Sequence, residues 1–202
     1  MAAPRQPEIY LASRSPRRRQ LLEQIGLPFT PLDVDVDERW NEEDSPEVFA
    51  IRLALEKARA GWAQAPADAA LPTLGADTTV VFDDRVLGKP RDDDEARAML
   101  HALSDREHQV LTGIALVDGH GEATRLSANR VRFRALDETD VERYIASGEP
   151  VGKAGGYAIQ GIGGVFVSHL EGSYSGVMGL PLYETTDLLA EYGVDFRRHW
   201  ND

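Results

Sequence analysis

The chain has 202 residues, 42% of them hydrophobic and 28% charged, and no cysteine. That length supports a buried core without covalent staples, and the missing thiols exclude disulfides, thiolate zinc sites and a cysteine nucleophile. A formal net charge of -12 sets most of the surface against nucleic acid and anionic membranes.

Residues 1–7 hold Arg5 and two prolines without an apolar core, so no secretory signal is expected there. The longest run free of Asp, Glu, Lys and Arg is 154–170. It is shorter than the ~20 residues of a membrane span. A soluble, cytoplasmic protein is the expectation, with neither nucleic acid nor membrane as partner.

Residues 9–12 read as a short buried strand, and Ser13-Arg14-Ser15 as a loop. A helix is predicted to start with Ser15 as N-cap and Pro16 at its first position. Leu21, Leu22 and Ile25 make its apolar face and Gly26 ends it. Arg17, Arg18 and Arg19 crowd the first turn of that helix, where each cation is misplaced by about 0.3–1 kcal/mol against the helix dipole. A bound phosphate reverses that sign, because arginine forks and helix N–H groups both suit its oxygens. The competing reading is a solvated basic patch.

Residues 29–36 read as extended. A second helix starts at Ser45-Pro46, with Val48, Ile51, Leu55, Ala58 and Trp62 at helical spacing as its inward face. Residues 66–72 form an alanine- and proline-rich connector. Residues 73–82 read as a strand, with Asp83-Asp84 turning into 85–87. In Gly75-Ala76-Asp77-Thr78-Thr79 an aspartate enters an apolar, β-branched run. A buried carboxylate needs a cation or metal, although a capped strand end fits equally. Lys89, in Gly88-Lys89-Pro90, and Lys57 could reach the same place or lie in solvent. Glu38 ends an acidic run that a solvated loop would also explain.

A third helix is predicted over 93–103. Strands over 110–117 and 122–133 flank a Gly119-His120-Gly121 hairpin turn. Inward parity switches between Leu126 and Val131, which predicts a bulge. A fourth helix spans about 138–147. Residues 152–179 contain nine glycines and read as part strand, part loop. Within them Gln160 can donate and accept, so it can read a base edge. A last helix starts near Pro181. Strands and helices interleave throughout, giving an α/β class with a mixed sheet.

The nucleotide-loop, dinucleotide-fingerprint and nucleophile-elbow patterns are all missing, and the histidines show no metal-ligand spacing. Instead, Leu11-Ala12-Ser13-x-Ser15-Pro16-Arg17-Arg18, Glu56-Lys57-Ala58, Leu74-Gly75-Ala76-Asp77-Thr78, Gly88-Lys89-Pro90, Tyr157-x-Ile159-Gln160-Gly161 and Gly179-Leu180-Pro181-Leu182-Tyr183 together resemble the Maf family of nucleoside triphosphate pyrophosphatases. The resemblance covers nearly the whole chain as one domain. It implies an elongated mixed sheet flanked by helices, with two lobes around a cleft, similar to inosine triphosphatases, and often a homodimer. It implies Asp77 as catalytic base, with Ser13, Arg17, Arg18, Glu38, Lys57 and Lys89 at the other active-site positions. Arg17, Thr78 and Gln160 match positions linked to base choice. The Gln160 pattern resembles the branch acting on dTTP and UTP rather than the 7-methyl-GTP branch. Arg14 departs from the small residue of many relatives.

Such a triphosphate substrate carries about four negative charges, so a divalent metal, Mg or Mn, is expected on Glu38 and Asp77. The rival reading is a nucleotide-binding regulator of cell division that does not hydrolyse. It would need the arginines and Gln160 but not Asp77. A nucleotidyltransferase is a third reading.

Overall fold

A computed structural model describes residues 6–41, 43–66 and 71–200. Seven strands form one mixed sheet. They are β1 (Ile9–Ala12), β2 (Phe29–Leu32), β3 (Thr73–Phe82), β4 (Arg85–Leu87), β5 (Glu107–Val117), β6 (Glu122–Phe133) and β7 (Val167–Glu171). The order is β2-β1-β3-β5-β6-β7, with β4 also on β3. β1 pairs in parallel with β2 and β3, and all other pairs are antiparallel. Six helices cover the sheet: α1 (Pro16–Gln24), α2 (Pro46–Gln64), α3 (Asp93–Leu103), α4 (Glu138–Ala146), α5 (Tyr174–Met178) and α6 (Leu182–Glu191). None among the described residues is long and apolar enough to cross a membrane.

The sequence rules locate most of these elements. Asp83 and Asp84 both adopt positive φ, 48° and 59°, as a two-residue hairpin turn requires. Asp92 and Asp137 cap α3 and α4. The extended stretch expected over 29–36 stops at Leu32, because only 29–32 find a partner, on β1. Of the expected connector, 67–70 lie outside the described residues. The short helix α5, unforeseen, sits within the glycine-rich stretch.

Two expectations fail for instructive reasons. The predicted inward face of α2 is rotated. Phe49, Ala50, Leu53, Ala54, Lys57, Ala58 and Gly61 are buried, while Val48 is 52% exposed. The helix backbone rests directly on the sheet. A Cβ on Gly75 would lie 2.3 Å from the Ala54 carbonyl oxygen, and one on Gly113 would lie 2.4 Å from that of Ala50. So close an approach selects small residues for the contact and leaves Ile51, Leu55 and Trp62 on its flanks. The bulge predicted in β6 is absent too. β5 and β6 pair without interruption from Glu107↔Arg132 to Val117↔Glu122. Both faces of the sheet are covered, so parity switches without any insertion. Leu126 packs with Ala50, Val81 and Leu111 on the α2 face, and Val131 and Phe133 pack on the other. The one register shift in β6 lies at Arg132/Phe133, against β7.

That other face carries two apolar clusters. One gathers Leu11, Leu22, Leu74, Ile114 and Leu188. The second gathers Val80, Leu100, Val110, Phe133 and Tyr144. The two clusters share this face of the sheet. A polar row separates them, since Thr78 is paired in register with Thr112, and Thr112 with Ser127. α5 lies over this row, with Thr112 Oγ1 donating to the Gly176 carbonyl at 2.8 Å.

Candidate active site

The cleft opens where the edge of β3 changes partner. β1 pairs with residues 73–75 of β3, and β4 with 80–82. Residues 76–79 therefore present an unpaired edge on that side. This is why Asp77 and Thr78, which point to opposite faces of the sheet, both line one cavity. The cavity is about 540 Å³ and gathers Ser13, Arg17, Arg18, Glu38, Lys57, Asp77, Thr78, Lys89 and Gln160. Every site residue expected from the sequence thus meets in one place. Arg14 lines it as well but pairs with Asp33. Arg19 does not line it.

On one wall α1 starts with its donors open. Ser15 occupies the N-cap without a side-chain cap bond, and its own N–H donates to Ser13 Oγ at 3.2 Å. Arg18 is buried, with Nε on the Gly179 carbonyl at 2.7 Å and its terminal nitrogens on Ser13 Oγ and Thr78 Oγ1, both at 3.2 Å. Arg17 donates to the Met178 carbonyl at 3.3 Å. Both arginines are therefore anchored by the carbonyl end of α5, which partly answers the dipole penalty of their place on α1. Burial pushes both guanidinium groups below the ordinary arginine range, yet neither has a carboxylate within ion-pair distance among the described residues. For Arg18, Asp77 pulls the other way, and the group stays charged.

The opposite wall is a chain of alternating charge. Lys57 Nζ lies 2.7 Å from Asp77 Oδ1 and 2.7 Å from Glu38 Oε1. Lys89 Nζ lies 2.6 Å from Glu38 Oε2. Thr79 donates to Asp77 Oδ2 at 3.3 Å. Burial would raise the Glu38 carboxyl, but hydrogen bonds from Lys57 and Lys89, together with their charge, draw it down to about 2. Glu38 therefore stays ionised across the neutral range. It contributes stability above the ordinary carboxylate pKa that is lost only as pH falls toward about 2. Of the neighbouring acids, Asp37 turns to Arg39 in solvent, while Asp35 lines the same cavity as Glu38.

Gln160 sits at the rim. Tyr157, Ala158 and Ile159 are buried, Tyr157 holding the ring of His108 at 2.8 Å, so these residues anchor the turn that exposes Gln160. Burial lowers His108 to about 4, and it is neutral at pH 7. Glu149 straps the following loop, accepting from Ile162 N and Gly163 N at 2.9 Å each. Sequence reasoning missed Lys153, Met178 and Val34 in the cavity wall.

Residues 8–192 match the family described as Maf-like protein. A dTTP/UTP pyrophosphatase of Alkalilimnicola ehrlichii is 57% identical over 197 residues, covering 96% of this chain and 97% of its own. One of Chromobacterium violaceum is 50% identical over 190 residues, covering 93% and 96%. Among solved structures, a nucleoside-triphosphatase / dITP/XTP pyrophosphatase of Mycobacterium abscessus aligns with a TM-score of 0.46 at 18% identity, over 91% of this chain and 93% of that one. With the family match over residues 8–192 and relatives 57% and 50% identical along almost its whole length, the chain belongs to the Maf-like protein family.

Proposed function

We propose that this protein hydrolyses dTTP and UTP to the monophosphate and pyrophosphate, as a house-cleaning enzyme of nucleotide pools. The observation that carries the reading is the pairing of two unlike walls. Arg17 and Arg18, without acidic partners, face an anion from the open start of α1. Glu38, Lys57, Asp77 and Lys89 supply carboxylate oxygens and ammonium groups on the other side. The names of the relatives agree with it. A regulator that only bound nucleotide would have no use for a carboxylate held on a buried lysine.

A divalent cation fits this donor set. Glu38 and Asp77 both touch Lys57 Nζ, so the two carboxylates stand side by side, and the ion would displace that ammonium from between them. Among the described residues no cluster of three or more His, Asp or Glu side chains could hold the ion by itself. Magnesium and manganese accept such sites, taking the remaining oxygens from water and substrate phosphate. When bound, the ion would neutralise charge on the phosphate chain. The chain's own groups do the rest. Arg17, Arg18 and the α1 N–H groups grip phosphate oxygens. Asp77 Oδ2, which accepts from Thr79, can take the proton of a water attacking the α-phosphorus. A bond forms from the water oxygen to that phosphorus, and the bond to the bridging oxygen breaks. Lys57 and Lys89 stabilise the charge on the departing pyrophosphate. Thr78 acts through Arg18, which its hydroxyl helps to hold.

Gln160 reads the base. Its amide matches the carbonyl and N–H edge that thymine and uracil share. Adenine and cytosine present an amine donor in place of that carbonyl, so an amide held in one orientation leaves a polar group unpaired. The cost is about 1–3 kcal/mol, or roughly ten- to a hundredfold in kcat/KM. Guanine shares the edge and is left to be excluded by the size of its second ring. The test is kcat/KM across the common nucleoside triphosphates, wild type against Gln160→Ala, with one run in oxygen-labelled water. Expected are a preference for dTTP and UTP that the variant narrows, and label in the monophosphate, since water attacks the α-phosphorus. Label only in inorganic phosphate, or a wild-type preference for a purine, would refute the assignment.

Chelation tests the metal separately. Excess chelator should abolish turnover, and added magnesium or manganese should restore it. Full activity in chelator would remove the ion from the mechanism.

A further inference from the structure

The cations of the cleft fall into two groups. Lys57, Lys89 and Arg14 are each paired with a carboxylate. Arg17, Arg18 and Lys153 line the same cavity with no carboxylate within ion-pair distance among the described residues. Their hydrogen bonds end on carbonyl and hydroxyl oxygens. The chain has 34 acidic residues against 22 Lys and Arg, so partners for three cations were plentiful. Leaving them unpaired around one cavity is unfavourable unless an anion completes the group.

Lys153 is held for that purpose by its own turn. Gly152, at φ +71°, bends the chain after α4. The ammonium then donates to the Glu149 and Val151 carbonyls, at 3.1 Å each. An ammonium has three N–H donors, so one remains. Burial lowers the lysine below its ordinary range, and repulsion from Arg17 adds to this, which places the two charges in each other's field. The same Glu149 whose carbonyl holds Lys153 straps the loop after Gln160 through its carboxylate.

We propose that Lys153 is a further substrate-binding residue, which with Arg17 and Arg18 forms the anion subsite that takes phosphate oxygens of the triphosphate. This rests on the triphosphate reading of the cleft, so the test needs a readout that does not depend on turnover. Binding of inorganic pyrophosphate is measured by titration calorimetry in wild type, Lys153→Met and Lys153→Arg. Steady-state kinetics with dTTP and unfolding midpoints accompany it. One charge-assisted hydrogen bond is at stake, so Lys153→Met should raise both the pyrophosphate Kd and the dTTP KM about tenfold or more. Its kcat should change far less, its unfolding midpoint should stay near wild type, and Lys153→Arg should recover most of the binding. Should the wild type hydrolyse no triphosphate yet bind pyrophosphate in a Lys153-dependent way, the hydrolase reading fails and the Lys153 assignment stands. Equal pyrophosphate Kd in wild type and Lys153→Met, or binding in neither, overturns the assignment whatever the turnover. A lowered midpoint with unchanged Kd and KM also overturns it, since the lysine would then serve only its turn.

Discussion

Asp77→Asn should lower kcat by ~10²–10⁴-fold, the usual contribution of a positioned general base, while leaving the fold intact. The side chain is almost buried, on a strand whose neighbours Ala76 and Val80 are apolar. Stability alone would favour an apolar residue at such a position, so the carboxylate asks for another explanation. An asparagine keeps the shape and can still accept from Lys57 through its carbonyl oxygen, which now sits 2.7 Å from Nζ as Asp77 Oδ1. It cannot take a proton from water. Lys57 keeps Glu38 as a charged partner, so the buried ammonium is not abandoned. The expected signature is therefore a loss in kcat with little change in unfolding midpoint. Rapid-quench and steady-state measurements on wild type and variant decide it. Turnover within a few fold of wild type would remove Asp77 from the role of base.

Gly75→Val should cost about 3 kcal/mol or more of stability, and any folded remainder should turn over slowly. Overpacked cores usually lose 1–3 kcal/mol, but here the obstruction is backbone. The first added carbon would lie 2.3 Å from the Ala54 carbonyl oxygen and 2.5 Å from the Ala58 nitrogen. No rotamer relieves that contact, so α2 itself must move off the sheet. Lys57 rides on α2 and Asp77 on β3, and the contact at Gly75 sets the distance between them. Gly121→Ala makes the control, since nothing lies within 4 Å of its added carbon, and it should stay within about 0.5 kcal/mol of wild type. Urea unfolding at constant slope reads both. An unchanged midpoint in Gly75→Val would mean that α2 does not rest on β3 as described.

Local rules sufficed for much of the chain because local chemistry governs those parts. Ser45-Pro46 announces its helix through a cap, and Asp83-Asp84 announces a turn through residues that tolerate positive φ. Asp77 and the arginines of α1 stood out for a related reason, whereas Glu38, Lys57, Lys89 and Gln160 were singled out by the family resemblance. A carboxylate in an apolar strand and three arginines at a helix start are each locally unfavourable, and such conflicts mark function.

What local rules could not decide was which side of an element faces what. On α2 the bulkier residues Val48, Ile51, Leu55 and Trp62 suggested the inward face, yet the sheet takes Ala50, Ala54, Ala58 and Gly61. The determinant lies on other strands, at Gly75 and Gly113, whose missing side chains admit the helix backbone. The switch of parity in β6 likewise reads as a bulge until both faces of the sheet are seen to be covered. Lys153 was invisible for the same reason, since nothing near it in sequence says that Arg17 lies close by. By itself the sequence determined most of the strands and helices and several turns, and it named residues that the fold gathers on one cavity. Only the tertiary structure decided the rotation of α2, the break in the edge of β3 at 76–79, and the sorting of cations into paired and unpaired. Those depend on contacts between residues far apart in the chain, where close packing and charge compensation, rather than local propensity, set the outcome.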